Sequence, residues 1–479
     1  MASKQILEDP GKPVFDQILE NKVKFGYYQN ILYILIGFVM LADGSEMTAL
    51  SILLPVLKSE WGISQEQQGL LGAALFVGVF IGSILSGFVA DKFGRRNTLM
   101  YTSAIQFLMG IISAYVNSVE VFIVMRGIFG MMIGCTIPIA PTMVSELTPT
   151  EYRGKGIVVI NFFFTLGKIY SVLCGKLTLT SLTEGDWRLM LILSSIPSIV
   201  VSVGTWKFIK ESPRFLIVTG RVDEGVQAIN EIGILNNEEV FQKVTNEEKN
   251  KLVNWQQRYF NTKDVSSFTS LWGLNYRLIT LCLWIIWFLM QFIELGIIFI
   301  LPYVINAIYQ EENLDATRGL NDMILTTIGE APSIIFSFLI IERVSFGRKN
   351  SLILCMGLAT LFFALMAALP LSSFIILITA VRLAQKVGYS MLYPLTTELY
   401  PTTMRITGFS FASAFGRLGA ACMPHVTLLL FSIEPIYPIF GFGVASCLIL
   451  LTVFLVPYDT TGIELDRMDQ KFIEFQDTK

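Results

Sequence analysis

Polar and apolar residues in this chain separate into long blocks, and apolar runs near twenty residues recur along almost its whole length. A helix rises about 1.5 Å per residue, so one such run crosses a hydrocarbon core of roughly 30 Å. The pattern predicts twelve spanning helices, at 30–56, 68–90, 98–116, 120–145, 156–180, 188–207, 278–306, 322–341, 351–369, 373–397, 407–431 and 437–457. The stretch from Lys207 to Arg277 is too long for a simple turn, and pieces such as Val222–Ile232 read as short amphipathic surface helices. The expected organisation is a cytoplasmic segment 1–29, a six-helix bundle 30–206 and a cytoplasmic linker 207–277. A second six-helix bundle 278–457 and a cytoplasmic tail 458–479 complete it.

Composition agrees with the blocks: 53% of the 479 residues are hydrophobic, 15% are charged and the mean hydropathy is +0.60. Soluble domains carry about 25% charged residues, so the expected class is an all-α, multi-pass membrane protein with the lipid bilayer as its surroundings. A formal net charge of −3 offers no basic field for nucleic acid. One histidine, His425, argues against a His-based general base or a multi-His metal site. The six cysteines form no CxxC pair and all lie inside apolar runs, where Cys behaves as a small hydrophobe. With no nucleophile–base set, metal cluster or cofactor motif, an enzyme is not expected, nor is a cofactor. Glu8, Asp9, Asp16 and Glu20 precede the first apolar run, unlike a signal peptide or a basic transit peptide.

Loop charge gives an orientation. One side collects Lys92, Arg95, Arg96, Arg153, Lys155, Arg343, Arg348, Lys349 and Arg405; the other has Lys58, Arg188 and Arg318. Lys and Arg gather on the inner side of a membrane, so both termini are expected in the cytoplasm or an equivalent inner compartment, whether in the plasma membrane or an organelle. The two halves also repeat. Asp91-Lys92-Phe93-Gly94-Arg95-Arg96 after span 2 parallels Glu342-Arg343 and Gly347-Arg348-Lys349 after span 8. Glu146 and Arg153 after span 4 parallel Glu398 and Arg405 after span 10, at the same spacing. Two pseudo-symmetric six-helix bundles imply a central site at their interface, near the midplane, exposed by each half in turn.

Gly87, Asp91, Lys92, Gly94, Arg95 and Arg96 together resemble the loop motif of the major facilitator superfamily, and the resemblance covers nearly the whole chain. It implies a facilitator fold working by alternating access, a monomer sufficing. A cytoplasmic gate would then be built from Asp91, Arg95, Arg96, Glu146, Arg153, Glu342, Arg348, Glu398 and Arg405, with bridges between the halves. Asp43-Gly44-Ser45-Glu46-Met47 in span 1, Glu330-Ala331-Pro332 in span 8 and Gly416-Arg417-Leu418-Gly419-Ala420 in span 11 are similar to the synaptic-vesicle-two-related transporters. That group is allied to the organic cation and organic anion carriers. Glu211-Ser212-Pro213-Arg214-Phe215-Leu216 and Pro457-Tyr458-Asp459-Thr460-Thr461-Gly462 are shared with sugar porters and do not discriminate. The second loop motif departs by two extra residues between its acid and its glycine.

A charged side chain near the bilayer centre costs at least about 2.5–3.5 kcal/mol on insertion scales, so each needs a reason. The acids are Asp43, Glu46, Glu294 and Glu330, and the bases are Arg126, Lys168, Arg382, Lys386 and Arg417. Asp43 and Glu46 share one helical face and sit at a depth comparable with Arg126, as a proton-coupling group would; a static ion pair is the plainer reading. The resemblance to proton-coupled sugar porters carries that part to Asp43 and Arg126. Lys168 and Arg417 lie on the equivalent helices of the two halves, 15 and 12 residues beyond Arg153 and Arg405. Both therefore fall near the central cavity. Organic anion carriers have a basic residue where Arg417 falls, and a guanidinium grips a carboxylate with two parallel hydrogen bonds. The competing reading pairs Arg417 with Glu330 or Glu294, out of reach of any substrate.

Gln291 and Tyr393, with Phe162, Phe163, Phe164, Trp284, Trp287 and Tyr389, are further candidates to line a pocket for a planar ligand, although most such aromatics serve as packing. The expectation is a secondary active transporter of a small organic anion such as an aromatic monocarboxylate, coupled to protons. Three alternatives stay open. One is an organic cation carrier using Glu294, Glu330 and Asp43; another is a sugar porter, which would need more amides in span 7 than Gln291. The third is a facilitator fold that no longer transports and serves as a receptor or structural subunit.

Overall fold

Hydrocarbon offers no partners to backbone N–H and C=O groups, so each apolar block must close its own hydrogen bonds as a helix. The computed structural model describes residues 14–236, 241–262, 271–273, 276–311, 318–341, 347–368, 373–400, 405–457 and 459. Helix α1 (Val14–Lys22) precedes six long helices: α2 (Tyr27–Trp61), α3 (Gln65–Phe93), α4 (Arg95–Ala114), α5 (Val119–Leu147), α6 (Thr150–Thr178) and α7 (Trp187–Phe208). Three shorter ones follow: α8 (Pro213–Val218), α9 (Val222–Asn236) and α10 (Asn246–Thr262). The second bundle holds α11 (Arg277–Glu311), the broken span α12 (Arg318–Ile328) and α13 (Ser333–Ile341), then α14 (Arg348–Ala368), α15 (Phe374–Glu398), α16 (Arg405–Ile433) and α17 (Tyr437–Leu455).

Most helices run past the apolar blocks that predicted them, because caps rather than hydropathy end them. The first turn of α3 starts at Ser64, whose hydroxyl accepts from the Gln67 N–H at 3.2 Å while the Gln67 amide oxygen accepts from the Ser64 N–H at 2.9 Å. Among the described residues, eleven helical stretches are long and apolar enough to cross a membrane. The twelfth, α4, is less apolar because it buries Thr98, Thr102, Ser103, Gln106 and Ser113 against its neighbours. Polarity is distributed inside out: Ser194, Ser195 and Ser198 are buried, while Phe88 is 74% and Leu177 81% exposed. Such a surface suits lipid and would aggregate in water.

Within a half, helices approach until backbones touch. A Cβ added to Gly130 of α5 would lie 2.0 Å from the Leu75 carbonyl of α3, and one on Gly78 would lie 2.1 Å from the Gly127 carbonyl. Gly44 of α2 and Gly167 of α6 pack equally tightly, against the carbonyls of Phe164 and Leu41. Small residues at such crossings let dispersion and weak polar contacts act where no hydrophobic drive exists between helices. Contacts between halves run α3 to α16, α6 to α12 and α2 to α11.

Two local features bear on function. The span α12–α13 is interrupted at Gly329–Pro332, where Glu330, Ala331 and Ser333 donate three residues back, to Thr327, Ile328 and Glu330. Pro332 has no N–H to give, so the regular ladder fails there. Helix α1 packs on α9 and α10, with Phe15 stacked on Trp255 at 5.8 Å and Asp16 accepting from Arg153 at 2.6 Å.

Gly130→Leu is expected to abolish a monodisperse, folded protein by overpacking the α3–α5 crossing. Gly87→Ala, with nothing within 4 Å of its added Cβ, should leave the melting temperature unchanged or slightly raised. Size-exclusion profiles and thermal unfolding of the two variants check this.

Candidate functional site

At the end that carries α1, the repeated motifs fold into the same device twice. Gly94 and Gly347 adopt positive φ, 90° and 78°, just ahead of α4 and α14. At α4, the Glu211 carboxylate accepts from the backbone N–H groups of Arg95 and Arg96 at 3.1 and 3.2 Å. At α14, Asp459 accepts from those of Arg348 and Lys349, both at 3.1 Å. An acid at a helix N-terminus satisfies orphan donors and meets the positive end of the dipole. A Cβ on either glycine would strike that carboxylate, at 2.2 Å for Gly94 and 2.1 Å for Gly347. Both acids stand in the motifs shared with sugar porters, just beyond the last span of their half, but the sequence did not show that they cap α4 and α14.

The gate residues form bridges inside halves rather than between them. Arg95 pairs with Glu146 at 3.0 Å and approaches the exposed Asp91 at 3.9 Å. Arg348 pairs with Glu398 in the second half, the equivalent contact. Arg96 donates to the Trp206 carbonyl at 2.6 Å, and Arg153 turns to Asp16. Among the described residues, Arg95 and Arg348 thus reach glutamates of their own bundles, Arg153 reaches α1 and Arg96 a backbone carbonyl, where bridges between the halves were expected. Glu342 lies outside the described residues, as does the side chain of Arg405.

Near the midplane the two halves do meet through charge. Lys168 of α6 donates to Glu330 at the α12–α13 break, and Arg382 of α15 pairs with the same carboxylate. Arg382 also donates to Thr326 at 2.9 Å, and Lys386 pairs with Glu294 of α11 at 3.4 Å. Both ammonium groups lie over the Phe164 ring, Lys386 at 4.9 Å and Lys168 at 5.6 Å. Lys168, Glu294, Glu330, Arg382, Lys386 and Gln385 line a cavity of about 10 Å³, room for about one water. Arg382, Lys386 and Gln385 complete a cluster in which the sequence had singled out Lys168, Glu294 and Glu330.

The α2 acids separate. Arg126 faces Glu46, with Nη1 3.4 Å from Oε2, and its guanidinium lies between the Phe122 and Phe129 rings at 5.1 and 4.9 Å. Asp43 instead accepts from Gln106 of α4 at 3.4 Å. The expected Asp43–Arg126 pair is corrected to Glu46–Arg126. Three residues apart, the two carboxylates lie about 60° from each other around α2, which turns Asp43 to α4 and the longer Glu46 to α5. Glu46 Oε1 and Arg126 Nε and Nη2 have no hydrogen-bond partner among the described residues.

Arg417 is buried on α16 and, among the described residues, has no carboxylate within 4.0 Å. Its charge acts on Asp43 across the interface and on Tyr389 and Tyr393 of α15. Those two rings pack edge-on against Trp287 at 5.7 and 5.1 Å, Trp287 donates to Thr396 at 2.9 Å, and Gln291 donates to the Tyr389 hydroxyl. Trp284 stacks on Phe415 and Phe163 packs against Gly37, both as packing groups. Glu330 and Glu294 are held by other bases, so the pairing that would have consumed Arg417 is not formed.

Residues 24–472 match the model of the family described as sugar (and other) transporter. The chain belongs to that family, within the major facilitator superfamily. The synaptic vesicle 2-related protein of Rattus norvegicus is 26% identical over 466 residues, covering 94% of this chain and 82% of that one. The organic cation/carnitine transporter 7 of Arabidopsis thaliana is 27% identical over 479 residues, covering 92% and 93%. The xylose transporter XylE of Escherichia coli, in a partially occluded inward-open conformation, superposes with a TM-score of 0.72 over 91% of this chain and 99% of its own at 17% identity, a likeness of fold. The chain is therefore a multi-pass membrane transporter of the major facilitator type.

For this transporter, breaking the buried Glu46–Arg126 pair by Arg126→Met should cost about 3–5 kcal/mol of stability, because Glu46 is left as an uncompensated charge. Glu46→Gln with Arg126→Met should recover most of the loss, and Asp43→Asn with Arg126→Met should not. Unfolding curves of the three variants in one detergent decide between the two partners.

Proposed function

We propose that this transporter moves a small organic anion, an aromatic monocarboxylate being the best fit, by alternating access coupled to protons. The observation that carries the reading is Arg417, an intramembrane guanidinium with no carboxylate within 4.0 Å among the described residues. Its planar fork matches a carboxylate, and Tyr389, Tyr393 and Trp287 beside it offer flat apolar faces to a ring. Lys168, from the opposite half, closes on the bound anion when the halves shut. Asp43 supplies the coupling. Charged, it competes with cargo for Arg417; protonated, it leaves the guanidinium to the cargo, so proton and anion favour each other's binding. The basic loops and α1 share one end of the molecule, which supports termini on the cytoplasmic side, and the facilitator fold functions as a monomer in this reading.

An organic cation carrier is the second reading, favoured by the name of the Arabidopsis relative and by Glu294, a carboxylate on the cavity wall. A thermal-shift panel of benzoate, nicotinate, quaternary ammonium ions and sugars at two pH values separates the two. Monocarboxylates should stabilise the purified protein by about 2.7 kcal/mol at a hundredfold excess over Kd, more at the lower pH, and Arg417→Ala should remove the effect. Stabilisation by quaternary ammonium ions alone, or by carboxylates undiminished in Arg417→Ala, overturns the assignment.

A further inference from the structure

Among the described residues, Lys168–Glu330 is the ion pair that crosses between the halves; the others join helices of one bundle or its attached short helices. It is also lopsided. Glu330 holds two cations, Lys168 from α6 and Arg382 from α15, and Lys386 is held by Glu294. The cavity wall therefore carries three positive groups against two negative ones. Both cations on Glu330 have independent anchors: Arg382 on Thr326 at 2.9 Å and Lys168 over the Phe164 ring at 5.6 Å. Glu330 itself sits on the interruption at Gly329–Pro332, where no continuous helical ladder restrains it.

We propose that Glu330 is an internal stand-in for the anionic cargo, occupying Lys168 while the transporter is empty and yielding it when cargo binds. The inference rests on the cargo being an anion. With a carboxylate present, Lys168 turns to the cargo and Glu330 stays with Arg382 on its own half. The cavity then has three cations and three anions, paired one to one, and the link between halves is the cargo. Without cargo, closing the halves would press Lys168 against Arg382 and Lys386 in a medium where like charges repel strongly, unless a resident carboxylate lay between them. Glu330 supplies that carboxylate, so the empty protein can close and return. Net transport needs the empty return and exchange does not, because exchange carries cargo both ways.

The test uses the full chain in proteoliposomes with radiolabelled benzoate. In Glu330→Gln, uptake into vesicles lacking internal benzoate should fall at least tenfold, and exchange against internal benzoate should stay within about threefold of wild type. Benzoate should also bind the variant more tightly, since its competitor is gone. Equal loss of both modes, or loss of neither, overturns the proposal. If the glutamine variant does not fold, Glu330→Asp, which keeps the charge on a shorter stem, should slow net uptake more than exchange; parallel changes overturn it. A wild-type protein that moves no monocarboxylate removes the anion reading and this one with it. Wild-type transport with the wrong variant pattern removes only the role of Glu330.

Discussion

Burying charge in hydrocarbon is the constraint around which this transporter is arranged. Deep in the spanning helices lie five cations, Arg126, Lys168, Arg382, Lys386 and Arg417, and four carboxylates, Asp43, Glu46, Glu294 and Glu330, each of which would be expelled from a bilayer if left alone. The fold answers with local solutions that differ in kind. Arg126 and Glu46 are buried together on one bundle, flanked by Phe122 and Phe129. Lys168, Arg382, Lys386, Glu294 and Glu330 form a shared cluster between bundles. Asp43 and Arg417, from opposite halves, are left with a neutral amide and aromatic neighbours. The first lies within one bundle, the second joins both bundles through Lys168 and Glu330, and in the third Asp43 and Arg417 come from opposite halves.

That division matches the way the molecule is fastened. Inside a bundle, glycines bring backbones into contact, as at Gly130 on Leu75 and Gly167 on Leu41, and acids tie loops to helix ends, as Glu211 does at α4 and Asp459 at α14. Packed backbones have no intermediate positions, so each bundle moves as a unit. Between bundles the contacts are side chains that can part without unfolding a helix. Tyr303 donates to Gln68 at 2.9 Å, Lys176 to Asn321 at 2.7 Å, and Gly72 abuts Pro424. These lie at the end of the bundles opposite α1.

How much of this was legible in the sequence depends on the range of the interaction. Spanning helices follow from hydropathy over about twenty residues, and the described helices fall on the predicted blocks, with ends displaced by caps such as Ser64–Gln67. The repeated loop motifs were legible because Glu146 to Arg153 and Glu398 to Arg405 keep one spacing. Partner choice was not. Asp43 and Glu46 are three residues apart and equally eligible for Arg126 in one dimension; side-chain length and helix phase separate them only in space. The same holds for Glu211 and Asp459, whose targets lie 115 and 110 residues away. The loop motifs have the same limit: a motif gives charges at the right end of a helix but not the bundle on which each finds its partner, as Arg95 and Arg348 show by pairing within their own halves.

The absence of a cross-half ion pair among the described residues at the loop-motif end changes what has to move. Arg95 and Arg348 are each paired with a glutamate of their own half, so parting the halves leaves those two bridges intact. At the midplane, separating Lys168 from Glu330 would expose both to a medium that solvates neither. Under the anion-carrier proposal, an arriving anion lowers that step by replacing one partner, and water entering from the opening end lowers it for the empty protein. In that proposal, control of the cycle lies with whatever occupies Lys168. The pseudo-symmetric charge motifs at the surface contribute in another way, by keeping each bundle rigid enough that a change at one buried lysine is felt across the whole interface.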